Sequence, residues 1–338
     1  MATKKSKSAG KKQATKTADK KVVKTEPVVK TVKKEVEKTK VETKKVIASG
    51  PVKKMGFWKC LFGRKYDTNE TILTVFKSPR IYGALIAELI GVLLLTVFFL
   101  SFGVLESIGM NITFQMNLQV MFVVTAITLV VFGISGANLN PIITFGMMAT
   151  RRMSCIRGVL YVLAQIIGAW LGFAIVSDFY AAGGEAASKA VLMPELTTVT
   201  DEKMWLLVAF ASISALILGF FFARAMKYKK SAFTFASIVG FGVLVAMMIV
   251  FSLQTSFFDY PETYNLGVNA FTFNNPAIAL VFQLLPSEGA DFVAITAEVG
   301  KALLVYVLFP AVASITGFYL ADVSDKMANG CDECDCGC

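Results

Sequence analysis

Two asparagine-proline triplets, Asn140-Pro141-Ile142 and Asn275-Pro276-Ala277, are the residues whose types and spacing point to a defined chemistry. Each follows a long apolar segment and opens a second, shorter apolar stretch. Asparagine is a good helix N-cap, and proline fits the first helical turn, where its missing N–H is not needed. Both triplets therefore read as helix starts. A helix N-terminus carries roughly half a positive charge and unsatisfied N–H donors. Two such termini meeting inside a bilayer would favour dipolar or anionic ligands and repel cations. This is the chemistry of holding a polar molecule, and no enzyme is expected.

The elements that must position these triplets are legible in the hydropathy. Of the 338 residues, 55% are hydrophobic, and the mean hydropathy is +0.61. Soluble domains of this length are rarely so apolar. Six segments can each cross ~30 Å of hydrocarbon as a helix: residues 81–102, 118–134, 159–176, 205–223, 232–253 and 302–320. The stretches 141–148 and 276–285 are too short to span. Re-entrant backbone survives at membrane depth only inside protein or along a water-filled cavity. That points to a channel or carrier rather than a membrane anchor.

Charge divides the chain. Residues 1–54 hold 18 Lys against 5 acidic residues, a formal +13, while the remainder is −3. The tail has no aromatic residue and cannot bury enough apolar surface to offset its ordering entropy, so it reads as disordered rather than as a signal peptide. The domain reading is a Lys-rich cytoplasmic tail at 1–55, a membrane domain at 56–323 and a Cys-rich cytoplasmic tail at 324–338. Orientation follows from Lys and Arg in the short loops. Arg151, Arg152 and Arg157 fall after the first triplet, and Arg224, Lys227, Lys229 and Lys230 after the fourth span. The alternate loops carry Glu106, Asp178, Glu185, Glu195, Asp201 and Glu202 against Lys189 and Lys203. Six spans put every basic loop, and both termini, on the cytoplasmic side of a multi-pass plasma-membrane protein.

The layout repeats: two spans, a triplet with its short helix, a third span, then the same again. Three spans per half make the second half inverted, a transport architecture in which broken helices meet at the midplane. This arrangement resembles the major intrinsic protein family, the aquaporins and glycerol facilitators, over about residues 81–319. The resemblance rests also on Ala87-Glu88-Leu89-Ile90-Gly91, on Ser135-Gly136-Ala137 and Thr144 around the first triplet, on Tyr161-Val162-Leu163-Ala164-Gln165 with Gly168-Ala169, and on Pro310, Gly317 and Tyr319. It implies an all-α membrane fold of six transmembrane helices and two re-entrant half-helices, assembled as a homotetramer with one pore per subunit. It also implies that Asn140 and Asn275 donate hydrogen bonds to a permeating oxygen. Pro141, Ile142, Pro276 and Ala277 would share the pore centre, and Glu88 would bind half-helix backbone N–H groups. The expected permeants are water and small neutral solutes such as glycerol.

Departures from the family pattern bear on selectivity. There is no histidine in the chain, and Ile278 follows the second triplet where the family has an arginine. Counting from the triplets gives a constriction of Val120, Met247, Thr272 and Ile278, mostly apolar, with Thr272 its one polar group. Isoleucine offers neither the donors nor the charge of arginine. Water would lose partners there and neutral solutes with carbon skeletons would be tolerated better. The alternative is that Ile278 packs away from the pore. Ile142 replaces the usual alanine and would narrow or reorient the centre. The fourth span lacks a counterpart of Glu88, leaving Ser212, Ser214 or water for that role.

Cys331, Cys334, Cys336 and Cys338 crowd the C-terminal residues, a spacing open to metal binding or to a flexible unligated tail. No other cofactor is expected. The Lys-rich tail suits anionic lipid headgroups, with nothing to specify a nucleic acid. The alternatives to a neutral-solute channel are an ion channel on the same scaffold, kept open by the missing arginine, and a coupled secondary transporter, for which Glu88 is the intramembrane acid.

Overall fold

The computed structural model describes residues 71–107, 113–182, 201–257, 275–283 and 299–329. The basic tail, Thr272 and the four C-terminal cysteines lie outside the described residues. The described chain is all helical.

After the short helix α1 (Ile72–Lys77), Pro79 opens α2 (Pro79–Ser107), the first span, with its ring at the first helical position. Helix α3 (Thr113–Ser135) returns and leads through residues 136–140 into the half-helix α4 (Pro141–Ala149). Helix α5 (Cys155–Ala182) completes the first half. The second half comprises α6 (Asp201–Ala225), α7 (Ala232–Phe257), the half-helix α8 (Pro276–Gln283) and a last span ending in α9 (Phe309–Asn329). Six helices are long and apolar enough to cross a membrane. Large apolar side chains such as Phe122, Val130 and Phe233 are exposed on their outer faces, as a lipid-facing surface requires.

The helices outrun the segments read from hydropathy. The first grows from 81–102 to Pro79–Ser107, and the last from 302–320 to a span of Val299–Asn329. Hydropathy stops at the first polar residues, whereas backbone hydrogen bonding continues through the interfacial turns. In the last span the added turns carry Asp322 and Asp325, each of which finds a basic partner.

Small residues set how closely the spans approach. A Cβ on Gly168 of α5 would collide with the Leu89 carbonyl of α2, and one on Gly172 with the Leu93 carbonyl. In the second half, Gly219 of α6 faces the Ser314 carbonyl of α9, and Gly317 of α9 faces the Leu216 carbonyl of α6. The first and third spans of each half thus pair in the same way, through the small-residue contacts that replace hydrophobic attraction inside lipid. The last span contains a π-helical segment, Leu304–Leu308, immediately before Pro310. Proline has no N–H to give and its ring crowds the carbonyl one turn back, so the ladder widens there.

Candidate functional site

The site is built where the two half-helices begin. Asn140 caps α4: its backbone is extended, and its Oδ1 accepts from the Ile142 N–H at 3.1 Å. Asn275 does the same for α8, accepting from the Ala277 N–H at 3.1 Å. The two starts are joined directly, since Asn275 Nδ2 donates to the Leu139 carbonyl at 2.9 Å.

The loop before α4 holds an unusual backbone. Gly136, Ala137 and Leu139 all have positive φ, at 87°, 54° and 53°. For Ala and Leu that region is strained and persists only where surroundings hold it. Glu88, fully buried in α2, supplies the hold. Its Oε1 accepts from the Asn138 N–H at 3.0 Å and its Oε2 from the Leu139 N–H at 2.7 Å. Gln165 of α5 donates its amide to Glu88 Oε2 at 2.8 Å and to Thr144 Oγ1 at 3.2 Å. One turn along from Glu88, Gly91 leaves the room that the Leu139 side chain fills. Further contacts fix α4 itself. Ser314 donates to the Ile142 carbonyl at 3.0 Å, and Tyr319 to the Ala149 carbonyl at 3.1 Å.

A cavity of about 60 Å³ opens beside the joined starts, room for several waters. Its polar rim is Asn138, Asn140, Asn275 and Thr128. Leu95, Phe99, Val124, Leu218, Phe222 and Val243 belong to its apolar wall. Ile143 also lines it, whereas Ile142, Pro141, Pro276 and Ala277 are buried and stand outside the wall. The side chain of Ile142 therefore packs into the core instead of narrowing this space. Val120, Met247 and Ile278 are also buried, at 0%, 1% and 1% exposure, in one apolar cluster. Each lies one helical turn from a lining residue: Val120 from Val124, Met247 from Val243, Ile278 from Asn275. Such spacing keeps a residue on the same helix face as its neighbour one turn away. The three belong to one large apolar cluster, each a turn along the chain from the cavity lining.

Several residues here were not singled out from sequence. Thr128 and Phe222 line the cavity, and Asn138 donates to Thr144 Oγ1 at 3.4 Å. Phe222 packs edge-on against Phe235, which in turn stacks on Phe132. Beside them, Phe318 seats its ring on Gly146 of α4 and beneath the Arg152 guanidinium, and Arg152 pairs with Asp322 at 2.5 Å. Hydropathy shows such residues only as apolar or interfacial positions.

The chain matches the family model of the major intrinsic proteins over residues 75–267, more than half its length. It belongs to the major intrinsic protein family. Members of that family are channels, not enzymes. Among solved structures, this major intrinsic protein is similar to the aquaglyceroporin from Plasmodium falciparum, with a TM-score of 0.50 and 18% identity, covering 74% of this chain and 97% of that one. The similarity shows a shared fold: six spans and two half-helices in an inverted repeat. Among curated relatives, it is 44% identical over 61 residues to the probable aquaporin PIP2-2 of Oryza sativa subsp. japonica, covering 17% of this chain and 21% of the relative. It is 47% identical over 47 residues to aquaporin PIP2-5 of the same plant, covering 14% of this chain and 17% of the relative. The chain thus aligns with about a fifth of the length of these relatives.

Proposed function

We propose that this major intrinsic protein is a passive channel for water and small uncharged solutes such as glycerol, with its path running past Asn140 and Asn275. One observation carries the reading: two half-helix starts meet, joined by Asn275 and Leu139, at a cavity with an amide rim and an apolar wall. A permeating oxygen held by the asparagine amides turns its own hydrogens away on both sides. The hydrogen-bonded chain then loses the continuous polarity that proton hopping needs, and the half-helix dipoles repel cations.

In this reading Val120, Met247, Thr272 and Ile278 form the selectivity constriction. The positions of Val120, Met247 and Ile278, each one turn along the chain from a cavity-lining residue, support it. An apolar ring slows water by withholding partners and admits solutes with carbon skeletons. The protein acts as a homotetramer in the plasma membrane with both termini cytoplasmic, as the loop charges favour. Its Lys-rich tail suits anionic lipid headgroups, where each basic residue near the surface is worth ~1 kcal/mol.

Stopped-flow light scattering on proteoliposomes tests the reading. After osmotic shrinking in a glycerol gradient, vesicles holding the protein should recover volume faster than empty ones. Equal recovery, with equal shrinking under an impermeant osmolyte, would sink it.

A further inference from the structure

We propose that Thr128 is a specificity-determining residue of the central cavity, supplying the hydrogen-bond acceptor that the two asparagines do not. The proposal rests on the channel reading above and deepens it. Both asparagine amide oxygens are engaged by their own half-helices, Asn140 Oδ1 by the Ile142 N–H and Asn275 Oδ1 by the Ala277 N–H. What the asparagines offer a permeant is therefore N–H: Asn275 gives one of its two to the Leu139 carbonyl, and the second suits an acceptor oxygen. The apolar side chains of the wall offer nothing to a permeant's own donor, so side-chain acceptors come from the polar lining, Thr128 and Asn138.

Thr128 is 1% exposed, lines the cavity and makes no hydrogen bond among the described residues. Other threonines in the helices behave differently. Thr96, Thr125, Thr150 and Thr316 each return the hydroxyl to the carbonyl four residues back, the usual outlet for a threonine in an apolar helix. Thr125, three residues away on the same helix, does so at 2.7 Å. The Thr128 hydroxyl is instead left for whatever occupies the cavity. The hydroxyl reaches the cavity, so a permeant that bonds to it gains that hydrogen bond and one that cannot forgoes it.

A hydroxyl both donates and accepts. A permeant with an acceptor oxygen next to an O–H or N–H can bond an asparagine amide and Thr128 together. Polyols and small amides do this with two groups held at a fixed spacing, whereas a water molecule can turn to the asparagine amides alone. Apolar solutes of equal size do neither, and they leave the hydroxyl unsatisfied.

The test compares wild type, Thr128→Val and Thr128→Ser in proteoliposomes under glycerol, urea and sucrose gradients, the last reading water flow. Valine keeps the shape and removes the hydroxyl; serine keeps the hydroxyl. Thr128→Val should lower glycerol and urea permeability relative to water by about threefold to tenfold, the factor one net hydrogen bond is worth. Thr128→Ser should stay within about twofold of wild type on the same hydrogen-bond argument. If Thr128→Val does not reconstitute, Thr128→Ala replaces it. Wild-type ratios in a valine or alanine variant, or an equal loss in all three gradients, would overturn the proposal alone. A wild type inert in all three gradients would overturn the channel reading and the proposal with it.

Discussion

Asn275 Nδ2 lies 2.9 Å from the Leu139 carbonyl and donates to it, across 136 residues of sequence and between the two halves of the repeat. The acceptor belongs to a residue with positive φ, which Glu88 holds through its N–H. The bond therefore ties the second half-helix to the most strained backbone of the first.

Replacing Asn275 with Asp should break this tie. The carboxylate keeps an acceptor for the Ala277 N–H but sets oxygen against the Leu139 carbonyl. Losing a buried donor and leaving its acceptor unsatisfied costs about 1–3 kcal/mol. Denaturation in mild detergent should shift down accordingly, and neutral-solute flux should fall. Unchanged stability would mean that the bond contributes nothing to joining the halves.

Glu88→Ala should be more damaging. Three buried donors, the Asn138 and Leu139 N–H groups and the Gln165 amide, lose their acceptor together. At about 1–3 kcal/mol for each unsatisfied group, a loss of at least about 3 kcal/mol is expected. Glu88→Gln keeps one acceptor oxygen and should fall between the two. Detergent denaturation and gel-filtration profiles read both, and an alanine variant of wild-type stability would show that other partners replace the carboxylate.

Much of this arrangement is legible in the sequence, because its residues are local in kind. Asn-Pro marks a helix start wherever it occurs, and a lone glutamate in an apolar span must have buried partners. Thr128 is not legible. Thr125 and Thr128 are alike on paper: Thr125 bonds a carbonyl of its own helix, and the rotation of α3 in the bundle sets Thr128 at the cavity. The spans are apolar on nearly every face, so periodicity cannot supply that rotation. The Arg152–Asp322 pair bridges 170 residues, and no local pattern announces it.

That pair yields a prediction with a sign. Both side chains are mostly buried, at 11% and 8% exposure. Asp322→Ala takes one partner from the mostly buried Arg152 charge and should cost on the order of 3 kcal/mol. Arg152→Met combined with Asp322→Leu removes both charges and should cost much less. Equal losses in the two variants would mean that packing, not charge pairing, explains the effect.

Ile278→Arg should change selectivity more than stability. It places donors and a charge in the apolar cluster that also holds Val120 and Met247. Glycerol flux should fall relative to water flux, and any cation leak should shrink. An unchanged ratio would mean that Ile278 only packs and that the constriction lies elsewhere.

Gly317→Val probes the fold itself. The added atoms would meet the Leu216 carbonyl and the Phe220 backbone nitrogen of α6. Overpacking typically costs about 1–3 kcal/mol, and here the obstacle is backbone, which yields little. Gel filtration in detergent should show loss of the native species, and a native profile would contradict this close approach of α6 and α9.

The most direct test of the central claim measures water flow and salt conductance on one proteoliposome preparation of the wild type. A neutral-solute channel gives faster osmotic shrinking than empty vesicles and no conductance above theirs. Conductance without faster shrinking would contradict that claim and make the protein an ion channel on this scaffold.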